Sequence, residues 1–205
     1  MATVISPHLP EAVDIGGLLL SPSSDGRARF SRDAYHRLAE IGVLKSDKRV
    51  ELIDGEIYMM FPIGPPQGSY ISRLAAFFIK HLPDSVQCRV QLPIVVSDHS
   101  EPEPDLALVR HREDDYQHEH PTPKDVLLII EVSHSSLSID LGRKLQLYAS
   151  SNIPEYWVID VERKAILVHR GHSGVQYQQI EMYQSGSLAP VAASENQLDI
   201  DWLFR

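Results

Sequence analysis

The chain has 205 residues, 43% of them hydrophobic, and carries 28 acidic against 19 basic side chains for a net charge of −9. That is enough chain for a globular domain with a sizeable core, with no internal repeat or low-complexity tract. The acidity weighs against broad binding to phosphate backbones, whose affinity comes from lysine and arginine, and the lone Cys88 excludes an intrachain disulfide and fits a reducing compartment.

Residues 1–29 are rich in Pro, Ser and Gly and read as an N-terminal arm, extended or partly ordered, of the kind that packs on a partner subunit. No basic stretch followed by a signal-length apolar run occurs there, and Leu18-Leu19-Leu20 is far too short to span a bilayer. A cytoplasmic protein without membrane attachment is the expectation. Arg27, Arg29, Arg32, Arg37, Lys45, Lys48 and Arg49 crowd this first quarter, either as a surface for a phosphate backbone or as a solvated helix and loop.

Residues 30–205 are expected to form a single domain. Ser31 has the type and place of an N-cap, followed by helical spacing of Tyr35, Leu38 and Ile41. Asp54-Gly55 predicts a hairpin turn between two strand-like stretches, because that turn needs positive φ angles. A second helix is predicted over residues 67–81, with Ile71, Leu74, Ala75, Phe78 and Ile79 inward. Strands follow over residues 86–96, 105–109, 126–132, 155–161 and 165–169, with a helix interposed near residues 139–150. This is a mixed α/β pattern of helices flanking a sheet. Free sheet edges and the arm need cover, which makes a homodimer compatible with the sequence.

The chemistry concentrates late in this series. Val126-Leu127-Leu128-Ile129-Ile130 is an aliphatic run without polar alternation, as in a strand covered on both faces, and Glu131 closes it. A carboxylate in such a place needs a partner or a metal, since desolvating an ion costs more than one hydrogen bond returns. Asp105 stands at the head of a second apolar strand, Leu106-Ala107-Leu108-Val109. If the strands are neighbours, the two carboxylates meet and raise each other's pKa unless a cation sits between them. Mg²⁺ suits such a pair, preferring oxygen ligands and retaining several waters. On the following helix Asp140 and Lys144 lie four apart and share a face, which by spacing alone describes a surface ion pair.

Pro104-Asp105, then Glu131-Val132-Ser133, Asp140, Lys144, Tyr148 and Glu155-Tyr156-Trp157-Val158-Ile159-Asp160, in that order, resemble the putative restriction endonuclease domain family of unknown biological role, within the PD-(D/E)xK nuclease superfamily. The likeness spans about residues 30–170 and includes the hairpin around Asp54-Gly55. It implies a restriction-endonuclease-like mixed β-sheet flanked by helices and a metal-dependent nuclease acting on DNA. In that reading Asp105, Glu131 and the Val132 carbonyl hold Mg²⁺, with Mn²⁺ as a substitute, and Lys144 is catalytic. Glu51 is hinted as a further carboxylate, although strand periodicity equally makes it an exposed residue.

Two positions depart from the pattern. The superfamily places a lysine two residues after the Glu, where this chain has Ser133; the resemblance implies that Lys144, from the next helix, takes its place. Lys124 is the weaker substitute, seven residues before Glu131 and so roughly 23 Å up the strand. Related sequences carry His where this chain has Gln67, which can orient a group but cannot change protonation state near neutral pH. Loss of either carboxylate is expected to abolish cleavage without unfolding the protein. The alternative is a catalytically silent nucleic-acid-binding or assembly module that retains the nuclease fold. His111, His118, His120 and His134 read as a polar loop and its surroundings rather than a zinc site, lacking any thiolate set.

Overall fold

A computed structural model of the chain describes residues 13–15, 18–22, 26–44 and 49–205. The chain divides into two compact units, Met1–Met60 with Ser97–Glu101, and Phe61–Val96 with Pro102–Arg205.

In the first unit, β1 (Val13–Ile15), β2 (Leu18–Pro22) and β3 (Ala28–Phe30) form an antiparallel sheet in that order. The described part of residues 1–29 is therefore largely strand, where composition suggests an extended arm; β2 finds backbone partners on both sides. Helix α1 (Arg32–Glu40) begins at Ser31, whose hydroxyl accepts a hydrogen bond from the Ala34 N–H at 3.1 Å. Strands β4 (Val50–Ile53) and β5 (Glu56–Met59) make the hairpin, and Asp54 and Gly55 both adopt positive φ, 49° and 73°. A Cβ at Gly55 would lie 2.6 Å from that of Arg29, so the turn demands glycine for space as well as for conformation.

The basic cluster of this unit is largely paired. Arg27 and Arg29 bond Glu56, Arg37 bonds Glu40 at 3.0 Å, and Arg32 bonds the buried Glu101 at 2.9 Å. Burial pushes the Glu101 carboxyl up, but hydrogen bonds from Arg32 and His36 outweigh it and hold it below its ordinary value. These pairs describe a solvated helix and loop better than a surface kept for phosphates. Lys45 and Lys48 lie outside the described residues.

The second unit is built on a six-stranded sheet of order β11-β10-β9-β8-β7-β6, formed by β6 (Val86–Val90), β7 (Leu106–Arg110), β8 (Val126–Ser133), β9 (Glu155–Asp160), β10 (Ala165–Ser173) and β11 (Gln176–Tyr183). Within this sheet only β8 and β9 run parallel, a pairing that requires a crossover connection. That connection is a continuous run of α3 (Leu137–Ile139), a π-helical turn (Asp140–Lys144) and α4 (Leu145–Ser150). The strand predicted over residues 86–96 stops at Val90, because Gln91 takes φ +50° and turns its N–H to the Asp105 carbonyl.

Strand alternation sorts the sheet into two faces. Leu106, Leu108, Leu128, Ile130, Val132, Trp157, Ile159, Ile166 and Val168 form a core with α2 (Pro65–His81) and α5 (Ile200–Phe204). Tyr70, Ile71, Leu74 and Phe78 are the buried stripe of α2. Ile79 stands outside that stripe and is 68% exposed, contrary to its predicted inward place. Phe78 is fully buried beside Trp157, with ring centroids 6.3 Å apart. Phe78→Ala is expected to destabilise the protein by about 3–5 kcal/mol, measurable by denaturant unfolding.

The opposite face carries Asp105, Glu131 and Ser133 along with apolar residues, and the α3–α4 run covers part of it. Tyr148 meets Tyr156 edge-on at 5.0 Å, and the Tyr156 hydroxyl donates to the Asp140 carbonyl at 3.0 Å. Among the described residues no helix is long and apolar enough to cross a membrane.

Candidate active site

Pairing of Leu106 with Ile130 brings Asp105, just before β7, beside Glu131 at the end of the aliphatic run of β8. Each carboxylate is tied to the other's strand. The Val132 N–H donates to Asp105 Oδ2 at 2.8 Å, and the Asp105 N–H approaches Glu131 Oε2 at 3.4 Å. Glu131 Oε1 accepts from Lys144 Nζ at 3.0 Å and from the Tyr148 hydroxyl at 3.1 Å. Lys144, Glu131 and Asp105 are all buried, the first two with only 4% exposure.

The π turn accounts for the lysine's orientation. A turn with i→i+5 bonding inserts an extra residue and resets which side chains face the sheet. Asp140, Lys144, Leu147, Tyr148 and Ala149 become the buried positions, whereas Leu141 and Leu145 are only half-buried. Asp140 Oδ2 accepts from Ser133 and Ser136 hydroxyls, each at 2.6 Å, and its Oδ1 lies 4.0 Å from Lys144 Nζ. The Asp140–Lys144 pair is thus interior. Ser133, standing where the superfamily has lysine, reaches Lys144 only through Asp140.

Burial raises the Asp105 carboxyl above its ordinary value; the Val132 N–H, the Gln91 side-chain amide at 3.2 Å and Lys144 draw it down, Asp140 pushes it up, and burial prevails. A carboxyl whose folded pKa exceeds its unfolded one adds stability below the unfolded value, near 3.9, and loses it as pH rises through the folded value. Asp105→Asn abolishes that titration. Followed from about pH 4 upward in chelator, the melting temperature of Asp105→Asn is expected to fall less with rising pH than that of wild type; parallel curves would show that burial does not disfavour the charged carboxylate.

The donor set is all oxygen, and among the described residues no group of three or more His, Cys, Asp or Glu side chains is arranged to hold a metal. Asp105 and Glu131 fit a hard divalent cation that takes one or two carboxylates and keeps its remaining ligands as water or substrate oxygen. The Val132 carbonyl leaves β8 on the same edge as the N–H that binds Asp105, and Pro104 opposite has no N–H to offer it.

The Uma2 family model, described as "Putative restriction endonuclease", matches residues 32–201. The chain belongs to this family. A crystal structure of "a putative nuclease belonging to DUF820" from Anabaena variabilis shares the fold, with TM-score 0.70 and 17% identity over 85% of this chain and 97% of that one. The restriction-endonuclease-like mixed sheet flanked by helices is therefore the architecture of the second unit. No curated protein matches the chain.

The other sequence candidates of this Uma2 chain stand on further elements. Gln67 is half-buried in the first turn of α2 and makes no side-chain hydrogen bond among the described residues. Glu51 is buried on β4, in the first unit, so strand periodicity does not leave it exposed. Lys124 is exposed before β8. Cys88 packs against the core, with burial pushing its thiol up to about 12. His111, His118 and His134 are exposed. Gln91, which holds Asp105 Oδ1, escaped the sequence reading because nothing local marks a glutamine with positive φ as a partner of a distant carboxylate. Ser136 was findable by its four-residue spacing from Asp140.

Proposed function

We propose that this Uma2 protein is a metal-dependent nuclease that hydrolyses phosphodiester bonds in DNA, with Asp105, Glu131 and the Val132 carbonyl holding Mg²⁺ or Mn²⁺. The observation that supports it most is the Lys144 ammonium, brought in from the helix side and bonded to Glu131 inside a buried group that includes Asp105. A bound divalent cation supplies Lewis acidity at the phosphoryl oxygen and lowers the pKa of the attacking water. Lys144, held by Glu131 and flanked by Asp140, places positive charge where the pentacoordinate phosphate gathers negative charge. Tyr148 fixes the Glu131 carboxylate from the same helix run, and Gln91 with the Val132 N–H fixes that of Asp105, so neither has to reorganise on substrate binding.

The test is cleavage of single-stranded, double-stranded and branched DNA in Mg²⁺ or Mn²⁺, comparing wild type with Glu131→Gln. Wild type is expected to cut, to stop in chelator, and to lose activity with the substitution. Equal cleavage by the two proteins would displace the site. No cleavage by folded wild type in either metal would favour the silent binding or assembly module, a reading supported by Gln67, which lacks any hydrogen bond to the site, and by the net charge of −9.

A further inference from the structure

Arg89 is an anomaly of the second unit. It sits on β6 with 8% exposure, its Nε is buried without a hydrogen-bond partner, and no group among the described residues accepts from its guanidinium. A buried cation left without an acceptor is costly, and structural arginines are normally bonded to carboxylates or carbonyls. Its one neighbour of note is the Tyr116 ring, 5.4 Å from the guanidinium carbon. Arg112 lies against the same ring at 4.6 Å, but Asp114 and Glu119 neutralise it at 2.8 and 2.9 Å. Tyr116 is held in place by its hydroxyl bond to the Arg110 carbonyl at 2.8 Å, on a loop with positive φ at both Asp115 and Tyr116.

Arg89 faces the same side of the sheet as the carboxylates. Val86, Cys88 and Val90 pack on the core, so Arg89 and Gln91 point to the other face. Arg89 pairs with Ala107, two residues from Asp105, a strand distance of about 7 Å. Gln91, two residues along from Arg89, touches Asp105 itself.

We propose that Arg89, with its guanidinium stacked on Tyr116, is a binding site for a phosphate of the nucleic-acid strand flanking the one at Asp105 and Glu131. An oxyanion supplies both the acceptors and the negative charge that suit the planar fork. The identity of the anion rests on the nuclease reading above. Burial also holds the guanidinium below its ordinary pKa, with Tyr116 opposing, as expected where a counter-anion is not built into the protein.

The test measures binding of a labelled oligonucleotide in chelator, and its cleavage in Mg²⁺, for wild type and Arg89→Gln at several salt concentrations. Arg89→Gln is expected to raise Kd about tenfold and to reduce the slope of log K against log salt by about one, with an unlowered melting temperature. Unchanged Kd and slope, or failure of wild type to bind, would overturn the proposal; a lower melting temperature with unchanged Kd would make Arg89 a structural prop for Tyr116. Arg89-dependent binding without cleavage would sink the nuclease reading and leave the anion site standing. Should Arg89→Gln fail to fold, Arg89→Lys carries the test: it keeps the charge and the salt slope but loses the fork, so Kd is expected to rise several-fold, and an unchanged Kd overturns the proposal.

Discussion

Lys144→Met is expected to lower metal-dependent cleavage by about 10²- to 10³-fold, the effect of removing one preorganised charge from a developing oxyanion. The same substitution is expected to weaken the fold. Lys144 is 4% exposed and lies between Glu131 at 3.0 Å and Asp140 at 4.0 Å. Methionine fills the space but leaves two buried carboxylates without their cation, a loss of about 3–5 kcal/mol when one partner of a buried pair is removed. A divalent cation at Asp105 and Glu131 restores part of the missing charge, so Mg²⁺ is expected to raise the melting temperature of Lys144→Met more than that of wild type. Thermal melts with and without Mg²⁺, run beside cleavage assays, separate the two consequences. A variant cleaving within twofold of wild type would remove Lys144 from the mechanism, and one as stable as wild type in chelator would mean that the pair is not buried in solution.

The central carboxylates were legible because the anomaly was local. A charge closing an aliphatic run, as Glu131 does after Ile130, signals a buried polar site from composition alone. Lys144 was legible only in part: four-residue spacing linked it to Asp140 but described a solvent-facing pair, since nothing in the sequence marks residues 140–144 as a π turn. Gln91 and Arg89 owe their places to the β6–β7 register and to a backbone twist at Gln91, both tertiary outcomes. β11 escaped notice because, at the sheet edge, nearly all its residues are exposed and the alternation that announces a half-buried strand is absent. β1 to β3 lay within a stretch whose Pro and Ser content concealed short strands that pair with one another. Composition also pointed to the first quarter for phosphate contact, yet its described arginines largely have carboxylates of their own, whereas Arg89, an interior residue of a strand, has no acceptor among the described residues.

Glu131 separates chemistry from stability more sharply than any other position. Its two oxygens accept from Lys144, Tyr148 and the Asp105 N–H. Glu131→Ala removes the acceptor of all three of these bonds, with Asp140 Oδ1 at 4.0 Å from Lys144 Nζ, and is therefore expected to disturb the fold as well as the chemistry. A destabilisation of about 3–5 kcal/mol is expected. Glu131→Gln keeps an oxygen for the hydroxyl and ammonium donors and the same volume, so the loss is smaller, although its amide offers a donor where the Asp105 N–H formerly found an acceptor. Cleavage is expected to fall by about 10³-fold or more in both, since a neutral amide is a poor ligand for a hard cation whose contribution is several kcal/mol. Denaturant unfolding of the two variants in chelator, beside their Mg²⁺-dependent rates, is the measurement. Equal stabilities would show that the Lys144 and Tyr148 bonds contribute little to the fold; a glutamine variant with wild-type rate would show that Glu131 orients the helix rather than holding the metal.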